Sequence, residues 1–167
     1  VAGVLGGFAI NGFFMDNESL EDNILDVKVG SEAPDFTLRD TKGNSFNLSD
    51  FENEKVVVLE FMNMGCGSCH SFEKDVLKSY CNSTTMPEDV EVISLTQTED
   101  VSQEDLEERA EGKNWAYVFG SEEMTDAFGA DRSPSIVIID KDGIVTFSES
   151  GPMTESELKE KVDEALE

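Results

Sequence analysis

Apolar residues along the chain fall into short unbroken runs, separated by polar turns and by stretches with helical spacing. Residues 55–62, KVVVLEFM, form a nearly continuous apolar run, as a central strand buried on both faces requires. Residues 90–95, VEVISL, and 135–140, SIVIID, read the same way. The turn Lys141-Asp142-Gly143 then joins 135–140 to a returning strand, IVTFSES. Nearer the start, SEAPDFTLRDTKGNSFNLSDF carries two short apolar patches around Lys42-Gly43-Asn44, which predicts a hairpin. Helical spacing runs from residue 66 to about 80. Further helices are predicted over SQEDLEERAEG, over SEEMTDAF and from Thr154 to the end. Ser102 with Asp105, and Thr154 with Glu157, read as capping boxes opening two of them. The order β-α-β-α-α-β-β-α after residue 55 implies an α/β fold, with parallel central strands and an antiparallel hairpin at the edge. Trp115 and Tyr117 read as core or edge packing.

The first 28 residues look different. Residues 1–14, VAGVLGGFAINGFF, have Asn11 as their only polar side chain. Fourteen residues are too few to cross a bilayer as a helix, which takes about 20. The chain starts at Val1 rather than Met, so the stretch is expected to be the distal part of an uncleaved signal anchor. A buried N-terminal strand or helix is the alternative, and four glycines in fourteen residues weaken it. Residues 15–28 read as an acidic linker, and the globular domain is expected over 29–167.

The chain of 167 residues carries 37 Asp plus Glu against 12 Lys plus Arg, a net charge of -25. That length suits one domain with a core of its own. Its apolar share of 38% and its 11 Phe exclude a disordered acidic chain. The charge argues against nucleic acid, since clustered Lys and Arg are absent. The acid is spread along the chain and reads as solvated faces or as adaptation to high salt. Nine Lys against three Arg weaken the second reading. At low salt such a surface favours neutral or basic protein partners.

Three cysteines are too few for a disulfide framework, and two of them form Cys66-Gly67-Ser68-Cys69. The motif follows a strand and opens a helix. There the first backbone N–H groups and the helix dipole favour an anion, which lowers a thiol from ~8.5 into the range ~3.5–7.5. Two intervening residues within one helical turn bring the sulfurs within bonding reach. Cys66, nearer the helix end, is expected to be the exposed attacker and Cys69 the buried resolver. A zinc site needs four ligands. Cys81 stands about 18 Å along the same helix and His70 points away from Cys69, so no metal is expected. Cys81 is either a packed thiol or a second resolving cysteine.

The segment VVVLEFMNMGCGSC resembles the strand and active-site loop of thioredoxin-fold proteins. VGSEAPDFTLRDTKGNSFNLSDF resembles the opening of their TlpA/ResA-like and AhpC/TSA-like branches, and SPSIVIIDKDGIVTFSESGPMTESEL resembles their closing segment. The resemblance spans about 29–167. It implies a thioredoxin-like fold, a central mixed β-sheet flanked by helices, with an N-terminal β-hairpin extension. Glu60, six residues before Cys66, matches the acid that assists proton transfer at the resolving cysteine. Independently, a carboxylate inside VVVLEFM is costly unless it has a task, and desolvation raises its pKa. The alternative is that Glu60 ends the strand and reaches solvent. Pro134, after Ser133, matches the cis-proline that faces the CxxC, whose preceding backbone pairs with the substrate's extended chain. An ordinary trans Pro opening a strand is the alternative. Gly65 stands where the family has Trp, and Ser68 where it has Pro. Gly65, Ser133 and Pro134 are thus the substrate-binding positions implied, and Cys66, Cys69 and Glu60 the catalytic ones. His70 either adds positive charge near the thiolates or is a solvated surface residue.

The activity implied is thiol–disulfide exchange with a disulfide-containing protein, with no cofactor beyond the Cys66–Cys69 couple. In the TlpA/ResA branch this implies a reductant at the extracytoplasmic face of the membrane, anchored by its N-terminus, or secreted if the segment is cleaved, and recharged by an upstream thiol donor. Two other functions are weighed. A peroxiredoxin needs a Pro and a Thr or Ser at fixed spacing before the cysteine, plus an Arg, and FMNMGC has neither. A Sco-like copper-delivery module would use Cys66, Cys69 and Met62 or Met64. That family spaces its cysteines one residue further apart and uses a distant His.

Overall fold

The structure, a computed structural model, describes residues 27–167. The anchor assigned to 1–14 and all but the last two residues of the 15–28 linker lie outside the described residues. Val27, the first one described, already donates its N–H to the Ala127 carbonyl at 3.1 Å.

Among the described residues, seven strands form one mixed sheet. The hairpin strands β1 (Thr37–Asp40) and β2 (Ser45–Asn47) turn at Gly43, whose φ of 85° suits a residue without a Cβ. The buried runs make β3 (Val56–Met62), β4 (Val90–Thr96) and β6 (Ser135–Ile139), and β7 (Val145–Ser150) returns beside β6. One further strand, β5 (Ala116–Phe119), was not among those predicted. Four residues are too short a stretch for periodicity to signal. Strand order is β2-β1-β5-β4-β3-β6-β7. β3, β4 and β5 run parallel, and the β1–β5, β1–β2, β3–β6 and β6–β7 pairs are antiparallel. β5 therefore joins the N-terminal hairpin to the central sheet, through Arg39 opposite Phe119.

Every residue of β3 is buried, and its alternation serves two layers. Val56, Val58 and Met62 face a core with Phe72, Leu77 and Tyr80, with Leu106 of helix α3 (Gln103–Ala110), and with Leu158 and Val162 of α5 (Glu155–Ala165). Val57, Leu59 and Phe61 face the other core, with Leu48, Phe128 and Met124 of α4 (Glu122–Ala127). The Phe61 and Phe128 rings meet there at 5.5 Å.

The helix after the CxxC motif is not uniform. It begins as α1 (Gly67–Phe72), widens into a π-helical turn over Glu73–Leu77, and resumes as α2 (Lys78–Asn82). The two predicted capping boxes differ. Thr154 and Glu157 exchange both bonds, at 2.7 and 3.2 Å. Ser102 accepts from the Asp105 N–H at 3.1 Å, but the Asp105 carboxylate takes the Ser102 hydroxyl instead of the cap N–H.

Candidate active site

β3 ends at Met62, and a tight loop carries the chain from there into α1. The Asn63 side chain accepts from Gly65 N–H and the Asn63 carbonyl from Cys66 N–H, both at 3.0 Å. Gly65 is exposed on that loop. Cys66 is the N-cap of α1, in extended conformation, and its sulfur accepts the Cys69 N–H at 3.0 Å. The Ser68 hydroxyl lies 3.3 Å from the same sulfur. Cys66 and Cys69 are joined by a disulfide, with Cα atoms 5.3 Å apart. Cys66 is half-buried and Cys69 is fully buried, so only the first sulfur is within a partner's reach. His70 is exposed.

Glu60 is mid-strand and fully buried rather than at a solvated strand end. Alternation puts it on the face of Val58 and Met62, the face that Cys69 covers. The Ser94 hydroxyl donates to Glu60 Oε2, and Trp115 Nε1 donates to Ser94 Oγ at 2.9 Å. Oε1 has no partner. Burial, and then the charge of Glu73, push the Glu60 carboxyl up to about 8.

Glu73 was not among the candidate residues, yet it too is fully buried. It lies in the π-helical turn and collects donors from α3, from the loop after it and from β5. Arg109 of α3 binds it through Nε at 3.1 and 2.9 Å and Nη2 at 2.8 Å. Lys113 Nζ lies 3.3 Å away, and the Tyr117 hydroxyl donates at 2.7 Å. Burial, then the Glu73 charge, holds the Tyr117 phenol far above its ordinary value. Tyr117 and Trp115 are thus packed as expected, and each also donates a hydrogen bond to this polar network. One signal in the sequence points to Glu73: it stands four residues after Cys69, on the same inward face as Phe72 and Leu77. Cys81 is a buried free thiol, pushed up to about 12 by burial and then by the Glu91 charge.

The Ser133–Pro134 bond is cis. Phe61 pairs with Ser135 across β3 and β6, so the start of β6 lies at the sheet end where β3 passes into the CxxC loop. Pro134 and the CxxC loop are thereby placed at the same end of the sheet, from positions about 65 residues apart in the chain. Ser133 is half-buried and Pro134 is buried. Among the described residues, nothing pairs with the main-chain N–H or C=O of Ser133.

The Redoxin family profile matches residues 28–166. A thiol-disulfide oxidoreductase ResA from Geobacillus thermodenitrificans is 30% identical over 142 residues, spanning 82% of this chain and 78% of its own. The ResA of Bacillus cereus is 28% identical over 164 residues, 96% of this chain and 87% of its own. Among solved structures, a putative thiol:disulfide interchange protein DsbE from Chlorobium tepidum superposes with a TM-score of 0.71 at 21% identity, covering 84% of this chain and 99% of that one. The chain belongs to the Redoxin family, as a thioredoxin-fold thiol–disulfide oxidoreductase with a Cys66–Cys69 pair.

Proposed function

We propose that the protein reduces disulfides of a protein client at the extracytoplasmic face of a membrane. The observation that carries the reading is the asymmetry of the Cys66–Cys69 pair: a half-buried sulfur at a helix N-cap, bonded to a fully buried one. In the reduced enzyme the Cys66 thiolate attacks one sulfur of the client disulfide. That S–S bond breaks, a mixed disulfide forms, and the first client thiolate leaves. Cys69 gives its proton to the Glu60 carboxylate and attacks the Cys66 sulfur. The second client thiolate leaves, and two electrons have passed from the dithiol to the client. The Cys66–Cys69 bond is what remains on the enzyme, and an upstream thiol donor reverses it. No cofactor takes part.

Glu60 suits the proton step because its carboxyl lies near neutral pH, where it both holds and releases a proton. The unpaired main chain of Ser133, next to Pro134, suits strand addition by an extended client segment. Exposed Gly65 leaves room for that segment beside Cys66. The assignment as a reductant rests on the resemblance to the TlpA/ResA branch, and the membrane location on the apolar residues 1–14. The net charge of -25 selects neutral or basic clients.

Cys66→Ser is expected to abolish reduction of insulin while the circular dichroism spectrum is unchanged. Retained activity would overturn the assignment. Equilibration with glutathione decides direction. A potential near about −270 mV supports a reductant, and one near about −120 mV an oxidant.

A further inference from the structure

We infer that Gln97 is a positioning residue that holds the segment from Ala130 to Ser133 in the shape a client chain pairs with. Gln97 follows β4 directly and is 9% exposed. Its amide nitrogen donates to the carbonyls of Ala130, at 2.5 Å, and Arg132, at 3.1 Å. Its amide oxygen accepts the Ser133 hydroxyl. Its main chain is held as well. The N–H donates to the Met62 carbonyl at 3.0 Å, and the carbonyl accepts from Thr125 Oγ1 at 2.9 Å.

A primary amide has two diverging donors beside one acceptor. The loop presents two carbonyls and one hydroxyl, so the match uses the whole side chain. No carboxylate or apolar side chain of that size supplies the two donors. The loop's carbonyls at 130 and 132 are thereby occupied from inside, and the Pro134 carbonyl accepts from Gly151 N–H at 2.7 Å. Among the described residues of the loop, Asp131 and Ser133 have no partner on either main-chain group, and Ser133 is the one beside the cis-proline. Because Gln97 also hangs from Met62, it ties this loop to the strand end that leads into Cys66.

The inference rests on the proposal that the client pairs with the main chain of Ser133, and its test separates the two. Gln97→Glu keeps the size and the acceptor but turns oxygen lone pairs toward two carbonyls. In the full chain at pH 7.5, KM for insulin is expected to rise about tenfold. The values of kcat, the rate with dithiothreitol, and the glutathione equilibrium should stay within twofold. Dithiothreitol is too small to pair along a main chain, so it reports on the cysteines alone. An unchanged KM in a folded variant would overturn the role of Gln97. So would an equal slowing toward insulin and dithiothreitol, which would place its effect on the cysteines. A wild type that reacts with dithiothreitol but leaves insulin untouched would sink the client reading, and this one with it. If Gln97→Glu does not fold, Gln97→Ala, Ser133→Ala and their double variant ask the same question. A double variant whose KM is no worse than that of the worse single one supports the shared role, and independent, multiplying effects overturn it.

Discussion

Glu60→Gln measures what the buried acid costs the fold. In the unfolded chain the carboxyl has its ordinary value of 4.5, and in the fold it is pushed up to about 8. Between those values the unfolded state has released a proton that the native state still holds. Native stability therefore falls as pH rises through this window, and the loss is complete above about 8. Below 4.5 both states are protonated and Glu60 makes no difference. At about 1.4 kcal/mol per pH unit, the interval comes to roughly 5 kcal/mol. Domains of this size are stable by about 5–15 kcal/mol, so the effect is a large fraction of the total. Gln has the shape of the protonated acid and does not titrate. Its amide also faces the unpartnered Oε1 position, which adds an offset that does not vary with pH. Urea denaturation of both oxidised proteins at intervals from pH 5 to 9 gives a difference curve. Titrations distant from residue 60 occur in both proteins and cancel. The variant is expected to gain several kcal/mol on the wild type across that range. A flat difference curve would refute the reasoning, because it would mean that Glu60 ionises in the native protein as readily as in the unfolded one.

Three further outcomes are expected. Glu73→Ala leaves Arg109 and Lys113, whose side chains are 10% and 14% exposed, without their counter-charge. It should cost about 3–5 kcal/mol in urea unfolding, and a loss under about 1 kcal/mol would show that both cations reach water. Cys81 should resist alkylation at pH 8 in the folded protein. Mass spectrometry after reduction should show Cys66 labelled and Cys81 unlabelled, and a label on Cys81 would contradict its burial. Gly120→Ala places a Cβ 1.9 Å from the Thr96 carbonyl oxygen, so β4 or the loop after β5 must shift. The expected cost is about 1–3 kcal/mol, read as a lower melting temperature, and an unchanged melting curve would rule the clash out.

Much of this fold is legible because its signals are local. The runs at 55–62, 90–95 and 135–140 are continuous in apolar residues, and each is a buried strand. A reciprocal box at Thr154 opens α5 where its spacing says it should. Where a local signal is weak, the reading is weaker too. β5 has four residues, and its pairing on both sides, not its own pattern, makes it a strand. At Ser102 the motif has the right spacing, yet the Asp105 carboxylate closes the bond on the hydroxyl.

The site divides along the same line. Cys66 and Cys69 lie within one helical turn, and Glu60 one strand end away, so the sequence alone determined that they share a neighbourhood. The cis bond at Pro134 could be named from the segment around it. The second carboxylate leaves only its spacing from Cys69 as a signal, and the donors that hold it leave none. Glu73 meets Arg109 across 36 residues and Tyr117 across 44. Gln97 reaches Ala130 across 33. Only the tertiary structure decided those pairings. Hydrogen bonds between distant elements leave no periodicity in the chain, and a buried Glu, Arg or Gln reads as a surface residue until the sheet and helices close around it.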